Sequence, residues 1–364
     1  MKNPVLLAAL SIVGTIVGAG IFGLPYVFSQ AGAPIGLLYC VILGAAAVMI
    51  HWLYAKVAEA TPGRHRLVGY AHKHLGRAAA ELASVTNPMG LLGSLLAYLI
   101  LGGAFLAVLF GGSPVIWGLV FFAVMSLIIF LPFRRVEYLE GWLTWLLIIV
   151  AVIVVALVAP HVRVLNLTAV HASKWFLPYG VVFFSFGGLS VIPDIVESLN
   201  KKMKNVAAAI VGGTVFSVVL SAAFGLVVAG ATGTNTASDA IGGLVPIVGR
   251  AIVASGAVFG LLAVATSFLT IGENIKEQFR MDFKFSATGA WAAAVGLPLA
   301  AYLFGARDFI GVLGFVGAVF GVIDGILIAL MARKIIKSRL RVLIIPLMVV
   351  FAAGLVSEII AIVK

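Results

Sequence analysis

Long apolar stretches alternate with short polar connectors along the whole chain, and this pattern predicts the secondary structure. A helix that crosses a membrane needs about 20 mostly apolar residues, because the hydrocarbon core of a bilayer is about 30 Å thick. We number the stretches of roughly this length as spans one to eleven. They lie near residues 4–30, 35–57, 89–111, 115–132, 136–160, 176–199, 206–230, 245–274, 287–304, 309–332 and 342–362. The longest connector, residues 58–88, leaves room for a short interfacial helix.

Composition narrows the class of protein. Apolar residues make up 63% of the chain and charged residues 10%, whereas soluble domains are typically about 45–50% apolar and about 25% charged. These values exclude an ordinary soluble enzyme and a disordered protein. The single cysteine, Cys40, excludes an intrachain disulfide. The sequence therefore predicts an all-α polytopic membrane protein.

The basic residues report the orientation in the membrane. Nineteen of the 24 lysines and arginines fall in connectors on the same side as the N-terminus. Cytoplasmic loops carry such an excess, so we expect a cytoplasmic N-terminus and, with eleven spans, a C-terminus outside. This topology accounts for the net charge of +11 without a nucleic-acid partner. The compact loops favour a multi-pass protein of a plasma (inner) membrane.

Spans one and six share an interrupted pattern in their middle. Gly18 and Gly20 precede Pro25 in span one, and the pair at 187–188 precedes Pro193 in span six. Glycine and proline weaken a helix interior, and in lipid a broken backbone is tolerated only against protein or a water-filled cavity. Paired breaks in matching positions are a pointer to the binding site of a secondary transporter. The alternative is close helix packing through small residues.

The two breaks lie five spans apart. Because five is odd, the second set of five spans runs through the membrane inverted relative to the first. The sequence thus predicts one transporter domain over residues 1–364, with inverted repeats at about 4–160 and 176–332 and an accessory helix at 342–362.

Several sequence motifs carry a specific resemblance. They are TIVGAGIFGLPY at 15–26 with QAG at 30–32, FFSFGGLSVIPD at 183–194 and TSFL at 266–269. They resemble spans one, six and eight of the amino acid/auxin permease family, in the amino acid-polyamine-organocation superfamily. The hydroxy and aromatic amino acid permeases are its bacterial relatives. The resemblance implies the leucine-transporter-type fold, with two inverted five-helix repeats and one accessory helix.

Two broken helices at mid-membrane suit an amino acid zwitterion. The N–H groups at a half-helix start can bind a carboxylate, and free carbonyls can bind an ammonium group. Backbone N–H groups of Ala19 and Gly20 are the candidates for the carboxylate. Carbonyls near Phe184, Ser185 and Phe186 are the candidates for the ammonium. A tyrosine hydroxyl in span three could bind the carboxylate, although packing is nearly as good an explanation. The candidate substrate-binding residues are Thr15, Gly18, Ala19, Gly20, Ser94, Tyr98, Phe184, Ser185, Phe186 and Gly187.

The resemblance also implies a site for a coupling cation. The residues that match a sodium site of this fold are Gly14, Val17, Ala263, Thr266 and Ser267. Five oxygen donors suit a hard cation. Some proton-coupled relatives place a lysine from span five there, and span five of this chain has none, which favours Na⁺ over H⁺. The alternative for the two hydroxyls is bonding to carbonyls of their own helix.

Seven carboxylates lie within the bounds of the apolar spans, where ionisable groups are costly, and two of them are candidates for a functional role. Asp194 is a candidate inner gate or proton carrier, and the alternative is pairing with basic residues near the helix end. Asp324 is a candidate for gating or proton coupling, with Arg134 or Arg135 as a partner. We interpret His51, in span two, as a packed or hydrogen-bonded histidine.

These features predict a secondary active transporter that moves a neutral amino acid, aromatic or small and hydroxylated, by alternating access with Na⁺ or H⁺. We expect no cofactor besides the coupling ion and no obligate protein partner. The alternative is an amino-acid sensor of the same fold that binds without transport. HExxH, GxSxG and P-loop motifs are absent from the sequence, which argues against an enzyme and against ATP-driven transport by this chain alone.

Overall fold

The computed structural model describes residues 3–63, 65–130, 136–281, 283–336, 341–342 and 344–363. The α-helices in chain order are α1 (Pro4–Ile16), α2 (Gly20–Ala31), α3 (Ala33–Ala60), α4 (Leu67–Leu75), α5 (Arg77–Phe110), α6 (Pro114–Phe130), α7 (Val136–Val158), α8 (Val164–Thr168), α9 (Leu177–Ser185), α10 (Ile192–Ser198), α11 (Met203–Thr232), α12 (Val245–Val248), α13 (Arg250–Met281), α14 (Ala287–Leu303), α15 (Phe309–Phe315), α16 (Val322–Ile335) and α17 (Ile344–Val363). By length and composition, seven helices in this described part can cross a membrane, or eight if α1 and α2 form one span. Three more apolar helices, α6, α14 and α17, are shorter.

Span one is broken where its glycines predict. Residues 17–19 are not helical, and α1 and α2 meet at a bend of 54°. Val17 leaves the helical region, with φ −82° and ψ 53°. The bend separates the carbonyl end of α1 from the N–H end of α2, so both sets of backbone groups are available at mid-span.

Span six is also broken, as its glycines predict. Helix α9 ends at Ser185, residues 186–188 are irregular, and a 3₁₀ turn at Leu189–Val191 leads into α10. Pro193 lies in the first turn of α10. The missing N–H costs nothing there, because an N–H in the first turn of a helix has no acceptor within that helix. The proline thus starts the second half of the span.

The predicted start of span three is wrong. Helix α5 begins at Arg77, twelve residues before the expected position, and continues through Pro88. The residues before the apolar run are mostly good helix formers, and Arg77 Nε donates to Glu81 Oε1 one turn later at 2.7 Å. The early start of α5 makes the connector shorter than predicted, and the connector contains a short helix, α4.

Two further irregularities were not predicted. Span eight begins as the single turn α12, and Gly249, with φ +83°, separates it from α13. Span ten contains a π-helix, Val316–Gly321, between α15 and α16. Short π segments occur often at functional sites, and this one packs against α9, next to the break in span six.

The broken spans lie at the centre of the helix packing. Helix α11 packs along both α1 and α2, and α9 packs against α2, α3 and span ten. Gly180 of α9 meets Gly314 and Gly317 of span ten backbone to backbone, so that a Cβ on Gly180 or Gly317 would overlap a carbonyl oxygen of the other helix. We call Gly180, Gly314 and Gly317 the glycine seam. It leaves no room for a side chain on Gly180 or Gly317.

Candidate functional site

The two breaks contact each other through Gly20 and Ser185. A Cβ on Gly20 would lie 2.6 Å from Ser185 Cα. The buried hydroxyl of Ser185 reaches the carbonyl oxygen of Gly20 at 2.8 Å and that of Val181 at 2.7 Å. A hydroxyl has one proton to donate, so the two carbonyls share it. The structure therefore brings these two predicted residues together, with the serine side chain joining span six to span one.

Backbone groups at the breaks can bind a zwitterion. Helix α2 starts at Gly20 without a side-chain cap. The N–H of Phe22 donates to the Ala19 carbonyl at 3.2 Å, while the N–H groups of Gly20 and Ile21 come too early in the helix to have an intrahelical acceptor and can bind a carboxylate. On the other break, the carbonyl of Phe184 already accepts the N–H of Gly187 at 2.9 Å. This leaves the carbonyls of Ser185 and Phe186 as the better candidates for an ammonium group.

A small apolar cavity of about 20 Å³ begins at the first turn of α2, directly after Gly20. Helices α2, α7, α11 and α13 and the connector before α12 form its walls, and three phenylalanines contribute to it. Its lining residues are Ile21, Phe22, Leu147, Val150, Ala151, Val154, Phe224, Ile241, Gly256 and Phe259. Small-molecule sites are likewise mostly apolar with a few polar groups at the edge, but this space holds about one water molecule, so a larger ligand requires its walls to separate.

The sequence analysis missed this cavity. It predicted side-chain contacts from Phe184, Phe186 and Tyr98, but Phe186 and Tyr98 are buried in the helix packing, and none of the three lines the cavity. Phe22 lies in the glycine motif of span one and could have been chosen on that ground. The lining residues from α7 recur at the spacing of one helix face. Because their neighbours are apolar too, the sequence does not show which face borders the cavity.

Two predicted hydroxyls are used within their own helices. Thr15 Oγ1 donates to the Ser11 carbonyl at 2.8 Å, and Ser94 Oγ donates to the Gly90 carbonyl at 2.9 Å. Such bonds are common for serine and threonine in membrane helices. Both oxygens keep lone pairs, so they can still accept a hydrogen bond.

The candidate cation residues are brought together in part. A Cβ on Gly18 would lie 3.9 Å from Ser267 Oγ, which places the break of span one beside α13. Thr266 Oγ1 donates to the carbonyls of Leu262 at 3.1 Å and Ala263 at 3.0 Å. Its proton is therefore engaged within α13, while its lone pairs remain available to a cation.

The other two cation candidates lie on α1 and in its break. Gly14 packs directly against Thr144 Oγ1 of α7, a hydroxyl that the sequence analysis did not select. Val17 donates its N–H to the Val13 carbonyl at 2.7 Å. The carbonyls of this last turn of α1 have no helical partner ahead of them and carry partial negative charge.

Asp194 forms an ion pair at the start of α10. Arg66 Nη1 lies 2.9 Å from Asp194 Oδ2 and 3.1 Å from the carbonyl oxygen of Ser190. Arg66 precedes α4 directly. The pair therefore ties the connector between spans two and three to the second half of span six.

Asp324 is buried and accepts two hydrogen bonds from α5. Thr86 Oγ1 donates to Asp324 Oδ1 at 2.7 Å, and Asn87 Nδ2 donates to Oδ2 at 3.1 Å. The predicted partners, Arg134 and Arg135, lie outside the described residues. Thr86 and Asn87 were missed because they fall in the stretch that the sequence analysis assigned to a connector.

His51 is hydrogen-bonded, which agrees with its interpretation from the sequence. Its Nδ1 lies 3.1 Å from Thr214 Oγ1 of α11, and both residues are buried. The same ring packs against the break of span six, because a Cβ on Gly188 would lie 3.2 Å from His51 Nε2.

Solved structures share this arrangement of helices. The transporter MhsT in complex with L-phenylalanine superposes with a TM-score of 0.71 at 17% identity, over 99% of this chain and 98% of that chain. Mhp1, a nucleobase-cation-symport-1 family transporter in a closed conformation with bromovinylhydantoin bound, gives 0.68 at 15% identity, over 98% and 90%. A manganese transporter of Eremococcus coleocola gives 0.60 at 11% identity, over 96% and 85%.

These likenesses show that the chain has the leucine-transporter-type fold, as the resemblance in the sequence implies. Among curated protein sequences, none matches the chain. The model of the tryptophan/tyrosine permease family matches residues 1–346, which confirms a multi-pass transporter of a permease family, while the amino acid/auxin grouping stays a prediction. The chain belongs to the tryptophan/tyrosine permease family.

Proposed function

We propose that the protein is a secondary active transporter that carries a neutral aromatic amino acid inward by alternating access, coupled to a cation. The observation that carries the proposal is the apolar cavity at the first turn of α2. It lies beside N–H groups that can bind a carboxylate, and its lining is entirely apolar, which suits an aromatic side chain better than a small hydroxylated one once the walls separate to admit it. The family description and the phenylalanine bound to MhsT support this substrate class.

The proposed site holds the substrate mainly through backbone groups. The carboxylate binds at the start of α2, near Ala19 and Gly20, and the ammonium group faces the carbonyls of Ser185 and Phe186. Opposite partial charges at the half-helix ends then balance the zwitterion without a buried charged side chain. The aromatic ring is directed at the small cavity beside Phe22, whose walls separate to admit it.

The proposed topology has eleven spans, with the N-terminus in the cytoplasm and the C-terminus outside the plasma membrane. The bent span one, the seven long helices and the three shorter apolar helices support this number. Spans one to five and six to ten form the inverted repeats, over about 4–160 and 176–332, and span eleven is accessory. The breaks in α1–α2 and α9–α10 occupy the same place in each repeat.

The coupling cation has two candidate identities. A sodium ion would use carbonyls of Gly14, Val17 and Ala263 with the hydroxyls of Thr266 and Ser267. The approach of Gly18 to Ser267 supports this placement, because it brings α13 beside the end of α1. A proton would need a titratable side chain near the breaks.

Arg66 and Asp194 are the proposed inner gate. Replacing Arg66 with alanine should favour the inward-open state and speed substrate efflux from proteoliposomes by up to about fivefold, because exposed ion pairs contribute about 0–1 kcal/mol. The double charge swap Arg66→Asp with Asp194→Arg should restore the efflux rate. Arg77→Ala, which breaks the exposed pair with Glu81, is the control and should leave it unchanged. Equal rates for Arg66→Ala and Arg77→Ala would refute the gate.

Uptake of labelled amino acids into proteoliposomes tests the proposed function. We expect accumulation of tryptophan, tyrosine or phenylalanine under an inward sodium or proton gradient, and none without a gradient. Serine and threonine serve as small hydroxylated controls and should not compete. Saturable binding without accumulation under either gradient would instead establish an amino-acid sensor.

A further inference from the structure

His51 is a titratable side chain at the point where the two broken spans meet. Its Nε2 and Cε1 face the irregular backbone at Gly188, where an added Cβ would lie 3.2 and 3.1 Å from them. The same position is 3.2 Å from the side chain of Ile16, the last residue of α1. The imidazole therefore contacts the break of span six beside the end of α1.

The partner of the ring accepts either protonation state. Thr214 Oγ1 lies 3.1 Å from Nδ1, and a hydroxyl oxygen can accept from Nδ1–H both in the neutral tautomer that carries its hydrogen there and in the charged ring. In that tautomer Thr214 keeps the hydrogen bond when the ring gains a proton. The nitrogen that faces the break, Nε2, is then the atom at which the proton is gained or lost.

The end of α1 offers partial negative charge near His51. Helix α1 ends at Ile16, whose side chain lies beside the Gly188 position that the ring contacts. A helix C-terminus carries a partial charge of about −0.5. Burial of the ring opposes an imidazolium, and this attraction offsets part of that cost.

Formal charges lie elsewhere on the elements that pack near His51. Helix α1 has no titratable residue, and α11 has only Lys204 near its start, ten residues before Thr214. Helix α9 has Tyr179, α2 has Tyr26, and α3 itself has Tyr39, Tyr54, Lys56 and Glu59. Helix α10 has Glu197 and Asp194, which is paired with Arg66. Helix α16 has Asp324, which accepts hydrogen bonds from Thr86 and Asn87. It also has Arg333 and Lys334 in its last turn. The hydrogen bond that His51 makes in the described part of the chain is to Thr214.

We propose that His51 is the proton-binding residue that couples transport to a proton gradient. The ring takes a proton at Nε2 from outside and holds the end of α1 and the break of span six together while it is charged. It releases the proton inside, so one proton moves with each amino acid. The inference rests on the proposed function and assigns its coupling ion.

The test separates coupling from substrate binding. Purified His51→Asn and His51→Gln variants are placed in proteoliposomes, and two activities are measured: exchange of labelled for unlabelled aromatic amino acid without a gradient, and accumulation under an inward proton gradient. Asparagine can keep a hydrogen bond to Thr214, and glutamine fills more of the ring's space. The exposed His72, changed to glutamine, is the matched control.

We expect both His51 variants to keep exchange but to lose proton-driven accumulation by about tenfold or more. A loss of this size is within the range that coupling between two sites usually produces. The His72→Gln variant should behave as wild type. Three results would overturn the assignment: accumulation by His51→Asn that matches wild type, loss of exchange in both variants, or accumulation by the wild type that needs sodium alone. A wild-type protein that neither binds nor exchanges an aromatic amino acid would instead refute the proposed function itself.

Discussion

Replacing Gly20 with alanine is expected to reduce uptake to background. The new Cβ would lie 2.6 Å from Ser185 Cα and 2.7 Å from Ser185 Oγ, so α2 and α9 would have to separate. That movement breaks the hydrogen bond from Ser185 to the Gly20 carbonyl and displaces the N–H groups that we assign to the carboxylate. Overpacking of this kind typically costs about 1–3 kcal/mol, which leaves the protein folded. Uptake and substrate binding in proteoliposomes measure the effect.

Gly18→Ala is the matched control, two residues earlier in the same break. Its Cβ would meet atoms no closer than 3.7 Å, an ordinary contact, so binding should stay within about threefold of wild type (under 1 kcal/mol). Gly20→Leu should be at least as damaging as Gly20→Ala while still inserting into the membrane. Normal uptake by Gly20→Ala would show that the contact of the two breaks is not part of the site.

Replacing Asp324 with alanine is expected to lower the free energy of unfolding more than the same change at Asp194 or Glu81, whose ion pairs are more exposed. The change removes the acceptor of two hydrogen bonds and leaves Thr86 Oγ1 and Asn87 Nδ2 without it. Each buried group left unsatisfied costs about 1–3 kcal/mol. Thermal unfolding in detergent, monitored through the disappearance of the monodisperse peak, measures this loss of stability.

Two comparisons make the Asp324 result specific. Glu81→Ala removes an exposed carboxylate from α5 and should leave the melting temperature nearly unchanged, because exposed pairs contribute little. Asp324→Asn keeps the shape and one acceptor, so it should be milder than alanine and should keep the wild-type dependence of uptake on pH. A flattened pH dependence in Asp324→Asn would make Asp324, rather than His51, the group that titrates during transport.

The sequence was sufficient for features that depend on the backbone alone. Gly18, Gly20 and the pair at 187–188 predicted both breaks, because glycine in a membrane helix weakens it whatever surrounds it. Pro193 marked the start of α10 for the same local reason. The start of α5 was misplaced because residues 77–88 form helix through propensity and contacts with neighbouring helices, neither of which appears in a hydrophobicity pattern.

The site was predicted less completely, because side-chain contacts depend on helices far apart in the chain. Gly20 and Ser185 were both selected, and they are in contact. The pairing of Asp324 with Thr86 joins residues 238 positions apart, and that of His51 with Thr214 joins residues 163 apart. A uniformly apolar helix such as α7 gives no sign of which face borders a cavity. Only the packed arrangement of the helices reveals it.

The glycine seam has a consequence for how such chains diversify. Gly180 excludes a side chain because the backbone of Gly314 occupies that space, and Gly317 excludes one because the backbone of Gly180 does. A larger residue at either position therefore requires a wider separation of α9 and span ten, which would alter the break in span six. We expect descendants of a common ancestor to keep small residues at both positions together, even after the lining of the cavity has changed to suit another substrate. The seam would then serve as an inherited marker of ancestry, independent of specificity.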